Sequence, residues 1–196
     1  MKNYFKATSE NIPIAVECLK NSNLIAHSTD TLPGLAADAT NDKAIDKIIK
    51  LKKRPGPYSI IISSLDDIEK YAIVNKKQID KINKILPGKF TVLLKNNNKN
   101  NLSKLCLGGS DLIGFRIPEH QFTNELVSEF KKPIITTSLN VTTHDSITDL
   151  KTASIDFKDL VIFDDKIKRV SKGSTILDFS SNEIIIIRHG DESYIK

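Results

Sequence analysis

Short apolar runs alternate with segments of helical period along almost the whole chain, and that rhythm limits the fold more tightly than any composition value. LIAHS (24–28), SIIIS (59–63), FTVLL (90–94), LIGFRI (112–117), PIITT (133–137) and LVIF (160–163) have the length and apolar content of buried strands. Between them fall helical segments. Residues 9–20 form the first, with Ser9 as cap and Ile12, Ala15, Cys18 and Leu19 on one face. Asn41 caps the second, which carries Ala44, Ile45, Ile48 and Ile49 at helical spacing and ends near Lys52. Further helices are expected at 65–71, 76–86, 120–131 and 148–156. Pro55, Gly56 and Pro57 interrupt the chain before one strand, and Pro87-Gly88 before another. The pattern ends in two consecutive strands, STILDF (174–179) and EIIIIR (183–188), joined as a hairpin by Ser180-Ser181-Asn182. Alternation followed by a strand pair predicts an α/β fold: a single domain over residues 1–196, with a twisted mixed parallel/antiparallel sheet flanked by helices. The polar run NNNKNN (96–101) reads as a surface loop.

Composition matters where partners are concerned. Lys+Arg 29 against Asp+Glu 24 leaves a net charge of +5, a mild preference for an anionic partner such as nucleotide or RNA. Only four of the basic residues are arginines (Arg54, Arg116, Arg169 and Arg188), so each is an unusual choice in a lysine-rich chain. No apolar run approaches the roughly 20 residues that span a bilayer, and the first residues lack a signal-peptide core. A cytoplasmic protein without a membrane partner is expected. Cys18 and Cys106 show no CxxC spacing and read as reduced thiols. His27, His120, His144 and His189 show no ligand spacing, so no metal-ligating side chains are expected. The chain has no GxxxxGK[ST], no GxGxxG before a helix and no GxSxG, which excludes a P-loop, the dinucleotide fingerprint and a serine-hydrolase elbow. A site must then be built from loops at strand ends.

Four such places stand out. In Thr29-Asp30-Thr31-Leu32-Pro33-Gly34 the hydroxyls suit a small polar ligand and Gly34 permits close backbone approach, although a plain strand-to-helix turn needs no more. In Lys52-Lys53-Arg54-Pro55 the helix dipole explains lysines, whereas the rare Arg54 offers a rigid fork for phosphate or carboxylate. Thr136-Thr137-Ser138-Leu139-Asn140 follows an apolar strand, and Ser138 and Asn140 share a face if the segment is extended. Arg116 and Arg188 close apolar strands, where surface ion pairing is the ordinary fate, and Arg169 in KIKR reads as solvated.

These segments, taken in order, resemble the YrdC-type threonylcarbamoyl-AMP synthases that begin the t6A modification of tRNA. STDTLPGL (28–35) is similar to the family's PTxTxxGL, KKRP (52–55) to KxR, LPGKFTVLL (86–94) to PGPxT, and IGFRIPEH (113–120) to VRxPxHP. TSLNVT (137–142) is similar to SxN, GSTILDF (173–179) to the STI strand, and IIRHG (186–190) to the terminal RxG. The resemblance implies a YrdC-like fold and synthesis of threonylcarbamoyl-AMP and pyrophosphate from L-threonine, bicarbonate and ATP. It implies ATP contacts at Lys52, Arg54, Tyr58, Ser138, Ser146 and Arg188, with Lys52, Arg54, Ser138 and Asn140 as the catalytic signature. Thr31, Ser63, Arg116, Thr136 and Ser174 match positions around the amino acid, where Arg116 would pair the carboxylate. Mg2+ is expected with the triphosphate, and separate transfer proteins would carry the threonylcarbamoyl group to tRNA.

The sequence departs from the pattern in places. Ser28 stands for the usual proline, Pro33 for an aromatic residue, and Ser63 where longer relatives carry a histidine. Tyr58 takes a position often filled by a small polar residue, VTTHD follows Asn140, and the extra C-terminal domain of longer relatives is not expected. Two other readings remain: a non-catalytic tRNA- or double-stranded-RNA-binding module, and a relative that uses another carbamoyl acceptor. Stacking-based RNA readout has little support, because aromatic residues make up only 6% of the chain and no RNP or GXXG motif occurs.

Overall fold

The computed structural model describes residues 3–139, 149–157, 160–181 and 183–195. Its strands are β1 (Tyr4–Lys6), β2 (Ile25–His27), β3 (Gly34–Asp38), β4 (Ser59–Ile61), β5 (Ala72–Ile73), β6 (Phe90–Asn96), β7 (Leu112–Arg116), β8 (Ile134–Ser138), β9 (Val161–Asp164), β10 (Thr175–Asp178) and β11 (Ile185–Arg188). The helices are α1 (Ile12–Lys20), α2 (Asp42–Lys52), α3 (Ile68–Tyr71), α4 (Lys76–Ile82), α5 (Lys104–Leu107), α6 (Gln121–Phe130) and α7 (Leu150–Asp156). Among the described residues one sheet holds every strand, in the order β1-β9-β2-β3-β8-β4-β7-β6-β10-β11, with β5 on β6. β9 joins β1 and β2 in parallel, as β7 joins β4 and β10 joins β6. The other pairings are antiparallel, so the sheet is mixed as expected.

The two faces of the sheet are covered unequally, and this creates the site. Leu35, Ile135, Ile60, Phe115, Val92 and Leu177, from successive strands, enter the larger core with Ala44, Ile45 and Ile48 of α2. On the other face Ile25, Ala36, Ile134, Ile61 and Phe163 pack under Ala15 and Leu19 of α1 and Phe122, Leu126 and Phe130 of α6. Burying each such side chain removes apolar surface from water at about 25 cal/mol per Å2. These two helices cover only one end of their face. The other end is open.

Several local expectations change. Asn41 does cap α2, accepting from the amides of Lys43 and Ala44 at 3.0 and 3.2 Å. Ser9 is not a cap: it lies in a 3-10 turn, Ser9–Asn11, and Pro13 sits in the first turn of α1, where its missing amide hydrogen costs nothing. The helix expected to reach 86 stops at Ile82, and 65–71 divides into a 3-10 turn, Leu65–Asp67, and α3. β1, β3, β5 and α5 carry no strong sequence signal. β3, GLAAD, is a central strand that lacks β-branched residues, yet Leu35, Ala36 and Ala37 are wholly buried between β2 and β8. The expected hairpin forms as β10 and β11, with Asn182 outside the described residues.

Candidate active site

Strand register assembles the site. Side chains directly opposite on neighbouring strands share a face. Gly34 of β3 lies opposite Ser138 of β8, and Thr136 opposite Ser59 of β4. Gly114 of β7 meets Leu93 of β6, Thr91 meets Ile176 of β10, and Ile176 meets Arg188 of β11. Small and hydroxyl-bearing residues thus form a row across the open end of the face. Gly114 is needed there, since a Cβ would stand 2.7 Å from Ser59 Oγ. Gly34, Ser138, Thr136, Ser59, Thr91, Ile176 and Arg188 of this row line a cleft of about 330 Å3, together with Thr31, Arg54, Tyr58, Arg116 and Ser174.

The cations reach this cleft by different routes. α2 stops at Lys53, whose left-handed φ of 54° turns the chain and sends Arg54 toward the cleft. The Arg54 guanidinium lies 5.4 Å from the centre of the Tyr58 ring, and the Tyr58 hydroxyl donates to the Arg54 carbonyl at 2.7 Å. Lys52 is buried beneath the rim, and its Nζ donates to the Ser138 carbonyl at 2.8 Å. Burial, aided by the neighbouring charge of Arg54, lowers its pKa to about 8.

Arg188 donates through Nε and Nη2 to the Ser174 carbonyl at 3.1 and 2.6 Å, and the Ser174 hydroxyl lies 2.7 Å from that of Thr91. Burial lowers the Arg188 pKa, and the charge of Arg116 adds to the effect. Arg116 does not take the surface ion pair expected of it. It is buried, and its Nη2 donates to Asp30 Oδ1 at 2.8 Å and to Thr31 Oγ1 at 3.3 Å. Arg169 is not simply solvated either, because both its Nη atoms bond Asp165, at 3.1 and 2.6 Å.

Thr31, Arg54, Tyr58, Arg116, Thr136, Ser138, Ser174 and Arg188 therefore meet around one cleft, with Lys52 just below. Ser63 does not join them. β4 runs antiparallel to β8, which puts Ser59 beside Thr136 at the open end. Ser63 lies past the other end, with Val127, Ser128 and Pro133, and donates to Asp67 at 2.7 Å. Asn140 and Ser146 lie outside the described residues. Sequence reasoning missed Ser59, Thr91 and Lys172, which line the cleft. A hydroxyl interrupting an apolar strand was the available signal for Thr91, which lies inside β6.

A buried polar chain lies under α6. His27 Nδ1 bonds the Ser28 carbonyl at 2.8 Å and lies 3.2 Å from Thr123 Oγ1, which bonds His120 Nδ1 at 2.8 Å. His120 Nε2 then reaches Asp165 at 3.2 Å. Burial, more than the adjacent His120, Arg116 or the opposing Ser28 carbonyl, lowers the His27 pKa to about 3.

The Sua5/YciO/YrdC family model, described as telomere recombination, matches residues 17–190. The chain belongs to this family. A putative threonylcarbamoyl-AMP synthase of Methanocaldococcus jannaschii is 36% identical over 175 residues, which is 87% of this chain and 81% of that protein. Pyrococcus abyssi Sua5 complexed with L-threonine superposes with a TM-score of 0.83 at 24% identity, over 95% of this chain and 56% of that one. E. coli YciO gives a TM-score of 0.82 at 19% identity, over 95% and 94%. The chain thus spans little more than half of the P. abyssi protein.

Proposed function

We propose that this protein is a threonylcarbamoyl-AMP synthase that joins L-threonine, bicarbonate and ATP, releasing pyrophosphate and water. One observation carries the reading: Arg54, Arg116 and Arg188 converge with hydroxyls on a single cleft whose described lining contains no carboxylate, histidine or cysteine. Such a lining suits two anionic substrates and offers no nucleophile–base pair. The chemistry asks for none, since the threonine amine supplies one nucleophile and the carbamate oxygen the next. That oxygen attacks the α-phosphorus as pyrophosphate leaves, so the protein's part is to position the reactants and balance their charge.

Arg54, braced on Tyr58, and the ammonium of Lys52 would hold phosphate oxygens, with Ser138 donating from the strand end. Arg116 and Thr31 would hold the amino-acid carboxylate, and Arg188 would sit between the two ligands beside Ser174. Mg2+ fits as an ion carried by the triphosphate: the described lining offers it hydroxyls, and the described residues contain no group of three or more His, Cys, Asp or Glu that could hold a metal. When bound it neutralises phosphate charge. The name of the M. jannaschii relative and the L-threonine in P. abyssi Sua5 support this reading over a non-catalytic RNA-binding module. Transfer to tRNA, and cytoplasmic residence, belong to the same proposal; among the described residues no helix is long and apolar enough to cross a membrane.

The test is pyrophosphate release by the purified protein. Release that requires ATP, threonine and bicarbonate together is expected, and Arg54→Ala should lower it by about 100-fold while the fold persists. Release independent of threonine and bicarbonate, or no release at all, contradicts the proposal.

A further inference from the structure

We infer that Asp30 is the positioning residue that holds Arg116 ready for the carboxylate of the amino-acid substrate, an inference that rests on the function proposed above. Asp30 and Arg116 are both buried, so each needs a partner to remain charged away from water. The pairing between them is one-sided. Asp30 Oδ1 takes a single donor of the guanidinium, Nη2, at 2.8 Å, while Oδ2 accepts the Glu119 amide at 3.0 Å. With that second oxygen held by the backbone, the carboxylate cannot rotate into a two-bond fork that would consume the guanidinium.

Asp30 is itself fixed by the preceding residue. Thr29 Oγ1 accepts the Thr31 amide at 3.0 Å and donates to the Leu32 carbonyl at 2.7 Å, which pins the turn on which Asp30 sits. Arg116 consequently keeps donor capacity, and its Nε is buried with no partner among the described residues. A buried N–H without an acceptor is costly and marks a place where an incoming acceptor gains more than it would in water. Burial opposes the charge on Arg116 and Asp30 supports it, which agrees with the same assignment.

The positive charge of the pair is also largely cancelled in place. Recognition there depends on the direction of the donors more than on net attraction, which suits the carboxylate of a zwitterion better than a polyphosphate.

The experiment is calorimetric binding of L-threonine and, separately, of ATP to the full chain and to Asp30→Asn and Asp30→Glu, with melting curves as a fold control. Steady-state kinetics complement the binding data. Threonine affinity should fall about tenfold or more in both variants, since small misplacements of a binding group have effects of this size. ATP affinity should change less than about threefold, and KM for threonine should rise far more than kcat falls. Asp30→Glu keeps the charge and moves the carboxylate by one methylene, so it reports on position even if Asp30→Asn does not fold. Unchanged threonine binding in a folded Asp30→Glu overturns the inference. Loss of ATP binding, or equal loss of both ligands, overturns it as well, because Arg116 would then serve phosphate or Asp30 merely the fold. A wild-type protein that binds threonine without making pyrophosphate refutes the proposed reaction and leaves this test intact.

Discussion

Arg54 and Lys52 are separated by one residue, yet their environments differ. Arg54 is partly exposed and lies over the Tyr58 ring, whereas Lys52 is buried, and burial lowers its pKa to about 8. The cation is the form that attracts phosphate, and a lowered pKa means this form is lost as pH rises. In the free enzyme kcat/KM for ATP should therefore decline as pH climbs through about 8. A profile level from about pH 7 to about pH 9.5 would remove Lys52 from phosphate binding. The scarcity of arginine drew attention to Arg54, Arg116 and Arg188, which the fold brings to one cleft. It could not distinguish a cleft arginine from Arg169, which is held by Asp165.

At the level of elements, the site depends on how closely β4 and β7 approach. Ser59 Oγ occupies the space a Cβ at Gly114 would need, with Leu93 Cδ2 at 3.2 Å on the other side. Gly114→Ala should push Ser59 aside, lower the melting point through an overpacking cost of about 1–3 kcal/mol, and weaken ATP binding more than Asn41→Ala, a cap removed far from the cleft. Equal ATP affinity in the two variants would show that the position of Ser59 in the cleft does not set nucleotide binding. The same strands explain what the sequence concealed. SIIIS is symmetrical, and nothing in it says which serine faces the site. That choice follows from the antiparallel pairing of β4 with β8, which brings in Ser59 and sends Ser63 to the far end.

For the molecule as a whole, the buried chain from His27 to Asp165 ties the sheet, α6 and the loop after β9 together, and it makes stability depend on pH. The His27 pKa is about 3 in the folded protein against an ordinary value of 6.5, so the unfolded chain binds the proton more tightly. Stability should be fully present above about pH 6.5 and fall below it by up to roughly 1.4 kcal/mol per pH unit, with His120, also lowered by burial, acting in the same direction. His27→Leu should flatten this acid limb in urea titrations; an unaltered slope would mean that the imidazole ionises without cost. The alternation of apolar runs and helical periods determined the fold class, the mixed sheet and most element positions, because local periodicity is written in the order of residues. Motif order determined the family. Which end of the sheet stays uncovered, which serine enters the cleft, and how Asp30 comes to face Arg116 across 86 positions were decided only by tertiary structure. Strand register and helix coverage join residues distant in the chain, and no local pattern encodes that pairing.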